Sequence, residues 1–202
     1  PLAGLHNVRD ALAAIAIAGH LGLDEQARRD ALAEFSGVKR RFTKTGESDG
    51  VTIIDDYGHH PVEIASVLKA ARDVVKQKIV AVWQPHRYSR AHDLFEQFCT
   101  CFNDADCVIV ADVYAAGEQA IDGISKETLA DGLKAHGHRH VVVLDNEKNL
   151  PEIIKDLTVS GDIVICLGAG SVSAWANALP EQLDGLTKKT QKNALLDTNA
   201  LY

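Results

Sequence analysis

The chain has 202 residues, of which 46% are hydrophobic and 24% are charged, and its formal net charge is −7. This composition is typical of a globular protein, and an acidic balance without a block of Lys or Arg argues against a nucleic-acid partner. No apolar run approaches the ~20 residues of a membrane span, and the first residues lack the pattern of a signal peptide, so we expect no membrane partner either.

The cysteines fit neither a zinc site nor a redox pair by their spacing. We therefore expect reduced, mostly structural thiols in a cytoplasmic protein. The chain starts at Pro1 and contains no methionine, from which we expect a piece of a longer protein. The four cysteines are Cys99, Cys101, Cys107 and Cys166.

Two helices are predicted near the N terminus, over residues 7–22 and 24–35, because Ala and other helix-forming residues dominate there. Asn7 and Asp24 are plausible caps. Three consecutive cations follow, at positions 39–41, in a segment that indicates a loop or hinge. We place the boundary between an N-terminal helical appendage, residues 1–40, and the main domain, residues 41–185, at this hinge.

From residue 42 onward, strand-like and helix-like segments alternate, and Ser48-Asp49-Gly50 indicates a hairpin turn. Apolar runs such as Val108-Ile109-Val110 are typical of strands covered on both faces. We therefore predict an α/β fold with a doubly wound, mostly parallel, Rossmann-like sheet and a loosely attached polar tail, residues 186–202. Strands are predicted over 42–46, 51–55, 78–84, 107–113, 140–145 and 162–168, and helices over 62–76, 91–104, 125–136, 149–158 and 171–183.

The segment Asp55-Asp56-Tyr57-Gly58-His59-His60-Pro61 lies between a predicted strand and a helix that Pro61 suits as a first residue. Ligands bind at such strand ends in open α/β sheets. Two alternatives stay open: Asp55 as a plain cap with a solvated histidine pair, or a metal site. We disfavour the metal site because adjacent histidines point in alternate directions and no third ligand has a zinc-like spacing.

The segment Gln84-Pro85-His86-Arg87-Tyr88-Ser89-Arg90 follows the next strand and should therefore lie at the same sheet edge. Arg87 and Arg90 are three residues apart at a helix start, so they could face one way. An arginine pair suits a carboxylate or a phosphate, and Asp112 and Glu118, after a third strand, could hold both arginines in place. A solvated helix start and an ordinary loop are the alternatives.

Gly168-Ala169-Gly170 follows the last strand and does not match the dinucleotide-binding pattern, which argues against a nicotinamide-dependent dehydrogenase. A tight turn that lets a strand and a helix approach closely is the better interpretation. No P-loop pattern G-x-x-x-x-G-K-[ST] occurs in the sequence.

Taken together, the segments 56–61, 84–90 and 114–118 resemble motifs of the Mur ligase family. Leu5-His6-Asn7-Val8 with Ala11-Leu12-Ala13-Ala14, and Gly37-Val38-Lys39-Arg40-Arg41-Phe42, match further motifs in the same order. The resemblance covers residues 4 to about 180. It implies that residues 1–40 are the last helices of a central ATP-binding domain with its hinge, and residues 41–185 the C-terminal ligase domain.

The resemblance also implies the reaction: L-alanine is joined to UDP-N-acetylmuramate through an acyl phosphate formed with ATP, in peptidoglycan precursor synthesis. ATP and Mg²⁺ would be held mainly by a central domain, with no metal ligand in this chain. The implied L-alanine-binding residues are Tyr57, His59, His86, Arg87 and Arg90, of which His59 and Arg87 are expected to be catalytic. The implied ATP-binding residues are Asn7, Asp10, Arg41 and Asp56, and the chain departs from the usual pattern at Asp10, where a second Asn is common.

Two alternatives to this function remain, namely another Mur-type or murein-peptide ligase and a non-catalytic Rossmann-like binding domain. The apolar face of the appendage needs a cover, and we expect a dimer through residues 1–35 as one way to provide it.

Overall fold

The computed structural model describes residues 5–35 and 37–199, and it describes side chains between residues 7 and 188 apart from Ser36. Predictions that fall on residues 1–4, on Ser36 and on residues 200–202 lie outside the described residues. They concern the first residues of the predicted appendage, the last residues of the predicted tail and one residue of the predicted loop or hinge.

One sheet in the order β1-β2-β6-β3-β4-β5 forms the centre of the molecule. β1 pairs antiparallel with β2, and all other neighbours are parallel. The predicted doubly wound, mostly parallel α/β fold is therefore confirmed. The strands are β1 (Thr43–Ser48), β2 (Val51–Asp56), β3 (Ile79–Trp83), β4 (Cys107–Val110), β5 (Val141–Val143) and β6 (Ile163–Leu167).

The predicted hairpin between β1 and β2 is confirmed. Ser48 lies opposite Val51, so that only Asp49 and Gly50 form the turn. Their φ angles are 49° and 79°, which is the left-handed backbone that a two-residue turn of this kind requires at both positions.

Helices cover both faces of the sheet, and two predicted helices have different lengths. The helix predicted over 91–104 is wrong as a single element, because the chain breaks at Leu94 into two short helices. The last helix continues to Asn199 and does not end at residue 183. The helices are α1 (Leu5–His20), α2 (Glu25–Glu34), α3 (Pro61–Val74), α4 (Tyr88–Asp93), α5 (Phe95–Thr100), α6 (Lys126–Ala135), α7 (Leu150–Leu157) and α8 (Val172–Asn199).

The start of the predicted tail is helical and contacts the hairpin. Asp184 accepts a hydrogen bond from Ser48, and the Thr187 hydroxyl donates to Asp49 at 2.5 Å. The polar, Lys-rich composition after about residue 185 was a weak reason to end the helix, since Lys and Gln are good helix formers. Beyond residue 188 the loose attachment of the tail stays a prediction.

Two hydrophobic cores lie on opposite faces of the sheet, as the alternation of side chains along a strand dictates. In β3, Ala81 and Trp83 contact the core under α3, α5 and α6, whereas Val80 and Val82 contact the core under α7 and α8. All five β3 residues are completely buried. The sheet is therefore a rigid base for the loops at its edges.

The appendage formed by α1 and α2 has little cover. Among residues 7–34, where side chains are described, none is buried. Leu12 is 59% exposed, Ile17 62% and Leu21 70%. The expected uncovered apolar face is therefore present, while the dimer that would cover it stays a prediction. Asn7 lies inside α1, so its predicted role as the cap of this helix is wrong.

None of the described helices combines the length and the apolar character that crossing a membrane requires. The four cysteines are free and buried. Burial raises the pKa of Cys99 and of Cys107 to about 11, so both thiols stay protonated near neutral pH.

Candidate active site

The carboxyl ends of β2, β6, β3 and β4 lie side by side and bring the polar segments of the sequence together. His86 forms a parallel bridge with Tyr114. The main-chain N–H of Arg87 donates to the Tyr114 carbonyl at 2.9 Å, and the N–H of Tyr114 donates to the Pro85 carbonyl at 2.8 Å. The prediction that the segments after these strands share one sheet edge is confirmed.

A row of aromatic and imidazole rings crosses this edge. Tyr57 meets His59 edge to face at 5.1 Å between ring centroids, and His59 lies 5.8 Å from His86. His86 stacks on Tyr114 at 5.5 Å with 13° between the planes. Three of the five predicted amino-acid-binding residues therefore form one cluster. Tyr114 also belongs to it, although the sequence singled out only the segment that contains it.

Arg87 is held in an unusual backbone conformation at the start of α4. Its φ of 73° is one that non-glycine residues rarely adopt, and such strain concentrates at functional sites. Its guanidinium lies 3.3 Å from a carboxylate oxygen of Glu118. Glu118 also accepts hydrogen bonds from the Ser89 N–H at 3.0 Å and the Ser89 hydroxyl at 2.7 Å, and these bonds lower the pKa of Glu118.

The predicted role of Glu118 in holding Arg87 is confirmed by this geometry, whereas the parallel prediction for Asp112 is wrong. Asp112 instead pairs with Lys126 at 3.1 Å. Sequence spacing did not show that Lys126, at the start of α6, lies within reach of Asp112.

Arg90 folds back onto His86 from the next turn of the helix. Its Nη1 lies 3.1 Å from the His86 carbonyl oxygen and 3.2 Å from His86 Nδ1. Arg87 and Arg90 therefore have different partners at this sheet edge, Glu118 and His86. Burial lowers the pKa of His86, and Arg90, His59 and Arg87 lower it further, so the ring is neutral at physiological pH.

His60 and Glu63 fix the turn that carries His59. The His60 side chain accepts from the N–H of Val62, and Glu63 accepts from the N–H groups of His59 at 3.1 Å and His60 at 3.2 Å. Burial opposes the ionisation of Glu63, but these N–H groups and His59 outweigh it and lower its pKa. This reciprocal cap has Glu at the third helical position, as in a capping box, but a histidine at the cap hid the pattern in the sequence.

Asp56 is buried and does not cap α3. Its two carboxylate oxygens accept hydrogen bonds from the N–H of Phe42 and from the N–H of Gly58, each at 2.7 Å. Burial raises the pKa of Asp56 despite these bonds. The carboxylate therefore ties the segment before β1 to the turn after β2, and its predicted contact with ATP stays a prediction.

A cavity of about 930 Å³ lies between α1, α2 and α3. All four residues predicted to contact ATP line it, although they come from distant parts of the chain: Asn7, Asp10, Arg41 and Asp56. Glu63 lines the same cavity and contacts His59 of the ring cluster. The candidate nucleotide and amino-acid sites are thus adjacent on two sides of one turn.

Sequence reasoning missed Arg40. Its guanidinium lies over the Tyr57 ring at 4.6 Å, closer than that of Arg41 at 5.8 Å. It also donates to the Gly168 carbonyl at 2.9 Å and approaches buried Asp55 at 3.9 Å. The run of three cations was the only signal in the sequence, and it did not distinguish one arginine from another.

The glycine turn after β6 provides close approach, as predicted. A Cβ at Gly170 would lie 2.5 Å from the Gln84 amide oxygen and 2.6 Å from the Tyr114 ring. The buried Gln84 side chain accepts from the N–H of Val172 and donates to Ser171. The turn therefore lets β3 hold the start of α8.

No group of three or more His, Cys, Asp or Glu side chains within the described residues is arranged to hold a metal ion. The described part of the chain therefore does not provide a Mg²⁺ site by itself.

Comparison with known proteins shows the family of the chain. Residues 40–170 match the family described as Mur ligase, glutamate ligase domain. The chain is 62% identical over 195 residues to a UDP-N-acetylmuramate–L-alanine ligase from Rhodospirillum rubrum, covering 96% of this chain and 40% of that protein. It is 63% identical over 186 residues to the ligase of the same name from Bradyrhizobium diazoefficiens, covering 92% and 40%.

A crystal structure of UDP-N-acetylmuramate–alanine ligase from Thermotoga maritima has the same fold as this chain. The TM-score is 0.76 at 30% sequence identity, over 91% of this chain and 39% of that one. The chain thus spans about 40% of the length of the relatives that it matches. On the sequence motifs, the sheet topology and the match over residues 40–170, the chain belongs to the Mur ligase family.

Proposed function

We propose that this chain supplies the amino-acid-binding part of an ATP-dependent ligase that joins L-alanine to UDP-N-acetylmuramate in peptidoglycan precursor synthesis. ATP phosphorylates the muramoyl carboxylate, the amine of L-alanine attacks the acyl phosphate, and phosphate leaves. ATP with Mg²⁺ and the UDP-sugar are held mainly by other domains of the ligase. The reaction takes place in the cytoplasm.

The observation that carries this proposal is the convergence of two arginines and two imidazoles on one sheet edge. Arg87 and Arg90 offer planar donors suited to a carboxylate, and their positions are fixed by Glu118 and by His86. When the carboxylate of L-alanine is fixed there, its amine is free to point away from the arginines, toward the acyl phosphate. Such positioning of a nucleophile accounts for a large part of catalysis in reactions of two substrates.

The cavity that contains the four predicted ATP-binding residues supports the second half of the proposal. It lies beside the amino-acid cluster, and Glu63 belongs to both. Closing this cavity over a nucleotide would bring the acyl phosphate to the amine and keep water away. Arg41 and Asp56 then act at the hinge, and Asn7 and Asp10 act from α1.

A chimera tests the proposal directly. This chain replaces the matching 40% of the Rhodospirillum rubrum relative, and phosphate release is measured with ATP, UDP-N-acetylmuramate and a series of acceptors. We expect release that depends on L-alanine and is weaker with glycine. Release only with the tripeptide L-alanyl-γ-D-glutamyl-meso-diaminopimelate would favour a murein-peptide ligase. A folded chimera that is inactive with every acceptor would favour a binding domain.

A further inference from the structure

The two histidines of the ring cluster make opposite hydrogen bonds through the same ring atom. His59 Nδ1 lies 2.9 Å from the Tyr57 carbonyl oxygen. A carbonyl oxygen can only accept, so this Nδ1 carries the hydrogen. In the neutral ring, His59 Nε2 therefore has a free lone pair.

His86 has the reverse arrangement. Its Nδ1 lies 3.2 Å from Nη1 of Arg90, and a guanidinium can only donate. His86 Nδ1 therefore accepts, and in the neutral ring the hydrogen is on Nε2. Arg90 is held in place by its second bond, to the His86 carbonyl oxygen at 3.1 Å, so this tautomer is fixed by the main chain.

Neither Nε2 atom has a protein partner among the described residues, and neither is buried. The two ring centroids are 5.8 Å apart with 51° between the planes, so the ring that can accept and the ring that can donate are neighbours. A free amino acid carries a matching pair of groups one carbon apart, namely an ammonium that donates and a carboxylate that accepts. The cluster is therefore polarised to bind such a molecule in one orientation.

We propose that His59 and His86 are fixed in opposite tautomers, that His86 Nε2–H donates to the amino acid carboxylate, and that His59 Nε2 takes a proton from its ammonium. This inference rests on the proposed function and assigns it a general base. One N–H bond of the ammonium breaks, its electron pair stays on the amine nitrogen, and the proton forms the new N–H bond on His59. The neutral amine is then the nucleophile.

The surroundings of the two rings fit these roles. Around His59 lie the Tyr57 ring, His86 and the Glu63 carboxylate, whose oxygen is 3.7 Å from Nδ1. Glu63 therefore balances the positive charge that His59 acquires with the proton. Arg87, Arg90 and Tyr114 surround His86, and the two cations oppose its protonation. One ring can thus gain a proton while its neighbour stays neutral.

Nitrogen-15 NMR of the imidazole rings in the ligand-free 202-residue chain tests the tautomers without any enzymatic activity. We expect a hydrogen on Nδ1 but not on Nε2 of His59, and the reverse in His86, with signals assigned by single His→Asn variants. Exposed His20 serves as the control and should show exchanging tautomers. The same tautomer in both cluster rings, or exchange in either of them, would overturn the proposal.

Three probes then separate the two roles. L-Alanine should move the His59 Nε2 signal toward that of a protonated nitrogen and perturb His86. N-acetyl-L-alanine, which has no ammonium, should perturb His86 alone, and L-alaninamide should perturb His59 alone. An equal response of His59 to L-alanine and N-acetyl-L-alanine, or no response of either ring to any probe, would contradict the proposal.

The chimera provides the kinetic counterpart. His59→Asn keeps a side-chain N–H donor for the Tyr57 carbonyl but removes the Nε2 lone pair. We expect kcat/KM for L-alanine to fall roughly 100-fold or more, which is the range for losing a general base. The rise of kcat/KM with pH that a general base causes should also disappear. An unchanged pH profile would refute the base. A chimera inactive with wild-type His59 would instead count against the proposed function, while the ligand-free NMR result would stand.

Discussion

Replacing Asp56 by alanine should destabilise the chain by more than the loss of a helix cap. The carboxylate accepts two main-chain hydrogen bonds of 2.7 Å, from Phe42 and from Gly58, in a residue that is 2% exposed. Without the carboxylate these two N–H groups lose their acceptor, at a cost of about 1–3 kcal/mol each, and relief of the buried charge offsets part of that cost. We expect a loss of about 2–4 kcal/mol in the free energy of unfolding, against about 1 kcal/mol for a cap.

Urea unfolding followed by tryptophan fluorescence measures this difference, since Trp83 is completely buried in the core. Asp73→Ala is the matched control, because Asp73 is an exposed partner of Lys69 on α3 and should change the stability by less than about 0.5 kcal/mol. If Asp56→Ala lowers the free energy of unfolding by no more than the control does, the hydrogen bonds from Phe42 and Gly58 to Asp56 do not stabilise the chain in the way argued.

The pH dependence gives an independent check on Asp56. Its pKa is raised in the folded chain, so the folded state binds the proton more tightly than the unfolded state does. The corresponding stabilisation is complete below the ordinary carboxyl pKa and is lost as the pH rises through the raised value. As the pH rises above the ordinary carboxyl pKa of about 4, wild-type chain should therefore lose stability relative to Asp56→Asn. An opposite slope would show that the carboxylate is favoured in its charged form.

In the chimera, Arg90→Lys should raise KM for L-alanine roughly tenfold or more, because Nη1 of Arg90 bonds to His86 and only a guanidinium then has further planar N–H donors for a carboxylate. An unchanged KM would remove Arg90 from the pocket. The 202-residue chain by itself should release phosphate from ATP, UDP-N-acetylmuramate and L-alanine only at background, since its sequence has no P-loop; turnover would contradict this. In sedimentation, the average mass should rise with concentration, and Leu12→Glu should prevent the rise whereas Val159→Glu, at an exposed site outside the appendage, should not. A monomer at every concentration would exclude the dimer through residues 1–35.

The site could be predicted from sequence where local patterns and one general rule were sufficient. β2, β3 and β4 are each followed directly by a polar segment, and the carboxyl ends of parallel strands meet at one edge. That reasoning placed His59, His86 and Glu118 near one another without any knowledge of distances. It did not require the strand order, and the insertion of β6 between β2 and β3 was not predicted.

What could not be predicted depends on contacts between distant residues. Arg40 was not distinguished from Arg41 because its partners, Tyr57 and Gly168, lie far along the chain. Asp56 was predicted only as an ATP ligand, since nothing local shows that the N–H of Phe42 points at it. The prediction for Asp112 was wrong for the same reason, because its pairing with Lys126 depends on how α6 lies against the sheet.

The position of β6 has a consequence for how the protein is made. β6 is the last strand along the chain, yet it pairs with β2 on one side and β3 on the other. While a ribosome is still synthesising the chain up to residue 162, β2 and β3 cannot pair through it, and each exposes an unpaired edge of the kind that invites aggregation. The sheet is therefore completed only after Ile163–Leu167 has been synthesised.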